Sequence, residues 1–251
     1  MEKKNFFSAT RIAIIALFGA LSGVLYIFGF PISAAFPVWL ELNFSDIPAL
    51  IGTFALGPLS GTIILVVKIL IKLVFKSTST VFVGELADFL IGLAFLLPAG
   101  LLYRKKRTFK GALAGLAIGT ACSVAVSILT NWLVLVPFYV KLLFKGNWDA
   151  IVGLMKPLFP SCTRETFYDF YLWVSVLPFN VMRCLIASTA TLLVYKHISR
   201  AINRIAEKLT PKGQNAETEN KKQFIITLCV CVVLIVLMIL FALLHYFFWR
   251  G

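Results

Sequence analysis

Charge is scarce in this chain. Only 14% of its 251 residues are charged while 60% are hydrophobic, and the mean hydropathy is +0.92, which excludes an ordinary soluble domain and leaves an integral membrane protein. Acidic side chains are scarcest, 11 Asp and Glu against 24 Lys and Arg. The net charge of +13 does not point to nucleic acid, because the basic residues fall in short runs between apolar segments, where membrane topology accounts for them. Histidine is nearly absent, and His197 and His245 lie far apart at the ends of apolar segments, a poor basis for a metal site or proton relay. The five cysteines form no C-x-x-C pair and have no nearby histidine, so neither metal nor cofactor is expected. There is no long polar stretch to hold an ATPase and no G-x-x-x-x-G-K-[ST] string. No serine nucleophile with a histidine base is evident either, and the chain does not read as an enzyme.

What is present is a succession of apolar runs. Breaks at Pro, Gly and charge predict spans at about 8–28, 46–57, 60–75, 83–103, 111–138, 171–196 and 224–248. The second and third are predicted to be too short to cross a roughly 30 Å hydrocarbon core singly, with Gly57-Pro58-Leu59-Ser60-Gly61 as the turn between them. Short helices of this kind are tolerated where they pack on protein or line a cavity, which hints at a ligand site. Lys3, Lys4 and Arg11 precede a first apolar run too long for a signal peptide, and this predicts an uncleaved span with its N-terminus in the cytoplasm. The Arg104–Lys110 cluster and the basic residues from Lys196 to Lys222 then fall on the same side, in keeping with a positive-inside bias. Residues 199–222 read as a cytoplasmic polar linker between a membrane domain at 1–198 and an extra C-terminal helix within 223–251. Residues 29–45 read as an outside loop, rich enough in proline and aromatics to fold over a ligand.

Polar groups inside spans are costly, and here they converge on one level. Asp46 is placed to cap or open the second helix, with Pro48 in its first turn. Lys68 and Lys72 lie on the outer half of the third helix, and Glu85 and Asp88 begin the fourth. Three residues apart, the last two suggest structural ion pairing with the lysines rather than catalysis. Asn131 and Asn180 each sit about 12 Å from the outer ends of the fifth and sixth spans, with Arg183 one turn from Asn180 on the same face. Two carboxamides at matching depth can serve a planar heterocycle, with Trp39, Trp132, Tyr139 and Phe179 available to stack. The same asparagines could equally bond helix to helix. On the first span, Ala16 and Ala20 belong to a small-residue stripe with Ala9, Ala13 and Gly23, a groove for a helix.

Several strings in order carry a family resemblance: Asn43-Phe44-Ser45-Asp46-Ile47-Pro48-Ala49-Leu50-Ile51-Gly52 with Gly57-Pro58-Leu59-Ser60-Gly61, then Gly84-Glu85-Leu86-Ala87-Asp88-Phe89-Leu90-Ile91-Gly92, then Asn131 with Pro137 and Tyr139, and Leu177-Pro178-Phe179-Asn180. Over about residues 8–200 the chain resembles the substrate-binding S component of energy-coupling factor (ECF) vitamin transporters, most of all the riboflavin-specific members. That resemblance implies an all-α integral membrane protein, a six-helix S-component bundle, to which the chain adds one C-terminal transmembrane helix. It implies a multi-pass protein of the cell membrane that captures riboflavin as transported ligand and works with a transmembrane T component and two cytoplasmic ATPases. Carried over residue by residue, Asn131, Asn180 and position 183 would hold the flavin ring, Phe36, Trp39 and Leu40 would be lid contacts, and Ala16 and Ala20 would meet the T component. Position 183 is arginine where the family has lysine, and the two differ in reach and donor geometry. Another vitamin or a nucleobase-like ligand, or a membrane-embedded enzyme, are the alternative readings.

Overall fold

The computed structural model describes residues 9–76 and 82–209, with side chains described as far as residue 194. The predicted span at 224–248, the linker beyond residue 209 and the lysines at positions 3 and 4 lie outside the described residues. Five described helices are long and apolar enough to cross a membrane. They are α1 (Ala9–Ile27), α3 (Pro58–Phe75), α4 (Val83–Lys105), α5 (Phe109–Leu143) and the helix that begins at Asp169, whose apolar part is Asp169–Val194. Between α1 and α3 stands the shorter α2 (Asp46–Leu56), and α6 (Trp148–Met155) lies between the last two spans. The last described helix, α7, opens with Asp169–Val176 and continues as Leu177–Leu209, through the position where the sequence placed the start of a linker.

Two expectations change. The third helix begins at Pro58 and has 18 residues, about 27 Å at 1.5 Å per residue, so of this pair α2 alone is short. The 29–45 loop is not wholly irregular: β1 (Phe30–Pro31) and β2 (Glu41–Leu42) pair antiparallel, Phe30 opposite Leu42. α6 was not anticipated; Asn147 caps it, its Oδ1 accepting from the backbone N–H of Asp149 at 2.9 Å and of Ala150 at 3.3 Å.

α2 is the centre of the molecule. Asp46 and every residue from Pro48 to Leu56 are buried, and Ala49 and Leu50 are completely so. An 11-residue helix cannot reach both faces of a bilayer, and here α1, α3, α4 and α7 surround it. At its end Gly57 takes φ 96°, a left-handed value suited to glycine, and Pro58 then opens α3 where no intrahelical N–H is needed. The Arg11 side chain, predicted as a basic flank, is buried instead and donates to Ser60 Oγ and to the Leu56 carbonyl. That carbonyl is one of those a helix C-terminus leaves unpaired, and a cation is its natural partner.

Glycines set how closely the long helices approach. A Cβ on Gly19 would lie 2.6 Å from Val67 Cγ1, and one on Gly23 2.7 Å from the Ile71 side chain, so α1 and α3 pack through these two positions. Gly23 therefore leaves the alanine stripe to which the sequence assigned it, while Ala9, Ala13, Ala16 and Ala20 stay exposed on the opposite side. α4 and α5 meet through Gly115 and Gly119, where Cβ atoms would come 2.7 Å from the Ala99 carbonyl and 2.5 Å from that of Phe95.

α5 and α7 both contain wide π turns, at Asn131–Leu135 and Tyr139–Leu143 in α5 and at Asp169–Val176 in α7. Pro137 and Pro178 stand beside these turns, each lacking the N–H that would bond to the preceding turn.

Candidate functional site

A cavity of about 210 Å³ opens where α1, α3, α4, α5, α7 and the first loop meet. Asn131, Leu135 and Tyr139 line it from α5, and Tyr171, Phe179, Asn180 and Arg183 from α7. Trp39, Leu40 and Glu41 of the first loop line it as well, and Lys72, Glu85 and Asp88 come from α3 and α4.

The two carboxamides are held alike. Asn131 Nδ2 donates to the Ser127 carbonyl at 2.8 Å and Asn180 Nδ2 to the Val176 carbonyl at 2.9 Å, each one turn back on its own helix. Each amide nitrogen keeps a second hydrogen. Both residues are only 3% exposed, so the polar atoms not used by protein face the cavity rather than bulk water. The helix-to-helix reading holds for Asn131 in one respect, since its Oδ1 accepts from the Tyr171 hydroxyl at 2.6 Å.

Below them lies a closed set of ion pairs. Lys68 Nζ is 3.1 Å from Asp46 Oδ1 and 2.9 Å from Asp88 Oδ2; Arg183 Nη2 is 2.8 Å from both Asp46 Oδ2 and Asp88 Oδ1. Two cations and two carboxylates balance, which is how buried charge is tolerated. Lys72 pairs with Glu85, and the Tyr26 ring covers both lysines, 4.6 Å from Lys68 Nζ and 5.5 Å from that of Lys72. Asp46 thus opens α2, but its side chain makes no cap; it is turned to Lys68 and Arg183 instead, because a buried carboxylate gains far more from two cations than from a backbone N–H.

Phe36 does not line the cavity itself. It packs edge-on against Phe179, ring centroids 5.3 Å apart, and so supports a lining residue. Trp132, proposed for stacking, is 49% exposed and turned away from the cavity, because Asn131 takes the inward position and its neighbour in a helix points elsewhere. Among the described residues no cluster of His, Cys, Asp and Glu could hold a metal ion.

The sequence model of a family described as the ECF transporter substrate-specific component matches residues 10–195. The chain belongs to this family. It is 32% identical over 204 residues to the riboflavin transporter RibU of Staphylococcus aureus (strain TCH60), covering 81% of this chain and 98% of that protein. It is 25% identical over 186 residues to the riboflavin transporter FmnP of Bacillus subtilis (strain 168), covering 74% and 90%. A solved structure described as "Structure and mechanism of the S component of a bacterial ECF transporter" matches with a TM-score of 0.58 and 30% identity, over 77% of this chain and 97% of that one. The protein is therefore a substrate-binding subunit of a transporter in a membrane, crossed by several apolar helices, and not an enzyme.

Residues of this S component that the sequence reading passed over are Tyr26, Tyr171, Leu135 and the Glu41–Lys76 pair, all at the cavity, the last with Nζ and Oε2 3.1 Å apart. Tyrosines near span ends look like interfacial belt residues, and Glu41 and Lys76 are 35 positions apart, so nothing local marked them.

Proposed function

We propose that this S component captures riboflavin from the outside face of the cell membrane and hands it to an ECF module of one T component and two cytoplasmic ATPases, which drive its uptake. The observation that carries the reading is that Asn131 and Asn180, from two different helices, offer unused amide hydrogens to one aromatic-lined cavity beneath the first loop. A neutral tricyclic heterocycle with carbonyl and ring N–H groups matches such a site. The lining cations Lys72, Lys76 and Arg183 are each matched by a carboxylate, so the cavity has no net charge to attract an ion. That two relatives of the chain bear the name riboflavin transporter supports the same ligand.

In this reading Asn131, Asn180 and Arg183 are the ligand-side residues, with Trp39 and Leu40 as lid contacts and Phe36 bracing the lid. Ligand contacts favour the closed loop, and the closed state is the one the T component reorients. Ala16 and Ala20, exposed on α1, form the face that meets the T component. The N-terminus is cytoplasmic, and α1 to α5 with α7 are the six helices of the S-component bundle.

The test is purification of the chain in detergent without partners, absorption and fluorescence of any co-purified ligand, and titration with riboflavin. Stoichiometric binding with quenched flavin fluorescence supports the proposal. A protein that ignores riboflavin but binds another vitamin or a nucleobase would move the ligand and leave the family role intact.

A further inference from the structure

A chain of hydrogen bonds runs through the cavity wall from the first loop to α5. Trp39 Nε1, from the first loop, donates to the Tyr171 hydroxyl at 3.1 Å. That hydroxyl donates to Asn131 Oδ1 at 2.6 Å, and Asn131 Nδ2 donates to the Ser127 carbonyl. Tyr171 is 1% exposed, with its ring stacked on the fully buried Phe167 at 5.4 Å, so the phenol is held in place by packing.

The chemistry of each link decides the next. An indole N–H only donates, so at the Tyr171 oxygen it occupies an acceptor position and leaves the phenolic proton for Asn131. A carboxamide can turn over with little change of shape, exchanging its donor and acceptor edges. Asn131 is prevented from doing so at both ends: the Ser127 carbonyl accepts only, and the Tyr171 proton requires an oxygen. The face shown to a ligand is therefore set by the Ser127 carbonyl on one side and Tyr171 on the other, and Tyr171 is itself set by a residue of the loop that roofs the cavity.

We propose that Tyr171 is a positioning residue of this site: with the first loop closed, Trp39 directs the Tyr171 hydroxyl onto Asn131 and locks the donor and acceptor edges of that carboxamide for the ligand. This rests on the reading of the cavity as the riboflavin site. It also supplies a physical link between loop closure and ligand grip, since opening the loop removes Trp39, the donor that keeps the Tyr171 proton turned to Asn131, and leaves the amide held by the Ser127 carbonyl and a hydroxyl free to rotate. Ligand residence time then depends on Tyr171 although the flavin need not touch its hydroxyl.

The experiment is stopped-flow flavin fluorescence on the full chain in detergent, for the parent, Trp39→Phe, Tyr171→Phe and the double variant. The parent is measured first, and failure of the parent to bind riboflavin overturns the site reading, and this proposal with it. Given parental binding, Tyr171→Phe is expected to raise the dissociation rate about tenfold, the scale of one well-placed hydrogen bond, with the association rate little changed. Trp39→Phe should do the same to a similar or smaller extent, and the double variant should be no worse than Tyr171→Phe, because the two act in series. A merely structural role would lower the melting temperature of the ligand-free protein and leave the two substitutions additive. Unchanged dissociation in Tyr171→Phe, or additive effects in the double variant, overturns the proposal while leaving the riboflavin site standing. Should Tyr171→Phe fail to fold, Trp39→Phe is measured in the parent and in Asn131→Ala: an effect that vanishes when Asn131 is absent supports the proposal, and the same fold-change in both overturns it.

Discussion

Arg183 and Asp46 lie 137 residues apart in sequence, yet Nε and Nη2 of the arginine converge on a single oxygen of the aspartate at 3.0 and 2.8 Å. Through Asp88 the same guanidinium reaches α4, and through Lys68 the two aspartates are joined to α3. Four helices are thereby tied at the floor of the cavity by charges that are largely withdrawn from solvent. Arginine brings two nitrogens to Asp46 while one of them also reaches Asp88, a set that the single nitrogen of a lysine would have to cover alone.

Truncating one member of this set leaves an uncompensated charge in the interior. Arg183→Ala is expected to destabilise by about 3–5 kcal/mol, the usual scale for breaking a buried pair. Arg183→Lys retains the charge and should lose less. Thermal unfolding in detergent ranks the two, and an alanine variant as stable as the parent would show that the ion pairs carry no net stability.

At the ligand side, Asn131→Ala and Asn180→Ala should each weaken riboflavin binding by roughly tenfold or more, the equivalent of about 1.4 kcal/mol per tenfold. Melting temperatures of the ligand-free proteins should move much less than for Arg183→Ala. Equilibrium titration by flavin fluorescence is the check, and unchanged affinity in both variants would remove these residues from the site.

The two faces of α1 should respond oppositely to bulk. Gly19→Leu forces a side chain into Val67 and is expected to cost about 1–3 kcal/mol by overpacking. Ala16→Leu, on the exposed face, should leave stability within about 0.5 kcal/mol and reduce co-purification with a T component. If Ala16→Leu assembles as well as the parent, the proposed contact lies elsewhere.

Glu41 and Lys76 are 42% and 38% exposed at the side chain, unlike the pairs beneath them. Glu41→Gln should therefore change stability by less than about 1 kcal/mol, and that small effect should shrink further as salt is raised. Unfolding measured at low and high ionic strength tests this.

Much of this protein could be read without coordinates, and the particular elements show why. Apolar runs bounded by charge or proline located α1, α3, α4, α5 and α7, because a membrane demands a long apolar stretch and local composition reports it. The ionic level was legible for a related reason: Asp46, Lys68, Lys72, Glu85, Asp88 and Arg183 stand out in apolar surroundings, and charges there need partners. Which partner each one takes was not legible. Only the packing of α2 inside the bundle put Asp46 between Lys68 and Arg183 rather than at a helix cap, and only the glycine contact of α1 with α3 separated Gly23 from the alanine stripe. Family resemblance in the sequence pointed to Asn131 and Asn180, whereas the hydrogen bonds from Trp39 through Tyr171 to Asn131 span 132 and 40 positions and exist only once the loop and two helices meet. The sequence by itself determined what must enter the membrane and which polar groups could not stay alone there, since those follow from the transfer cost of single residues; the tertiary structure decided who answers whom, because pairing depends on distances that local sequence does not contain.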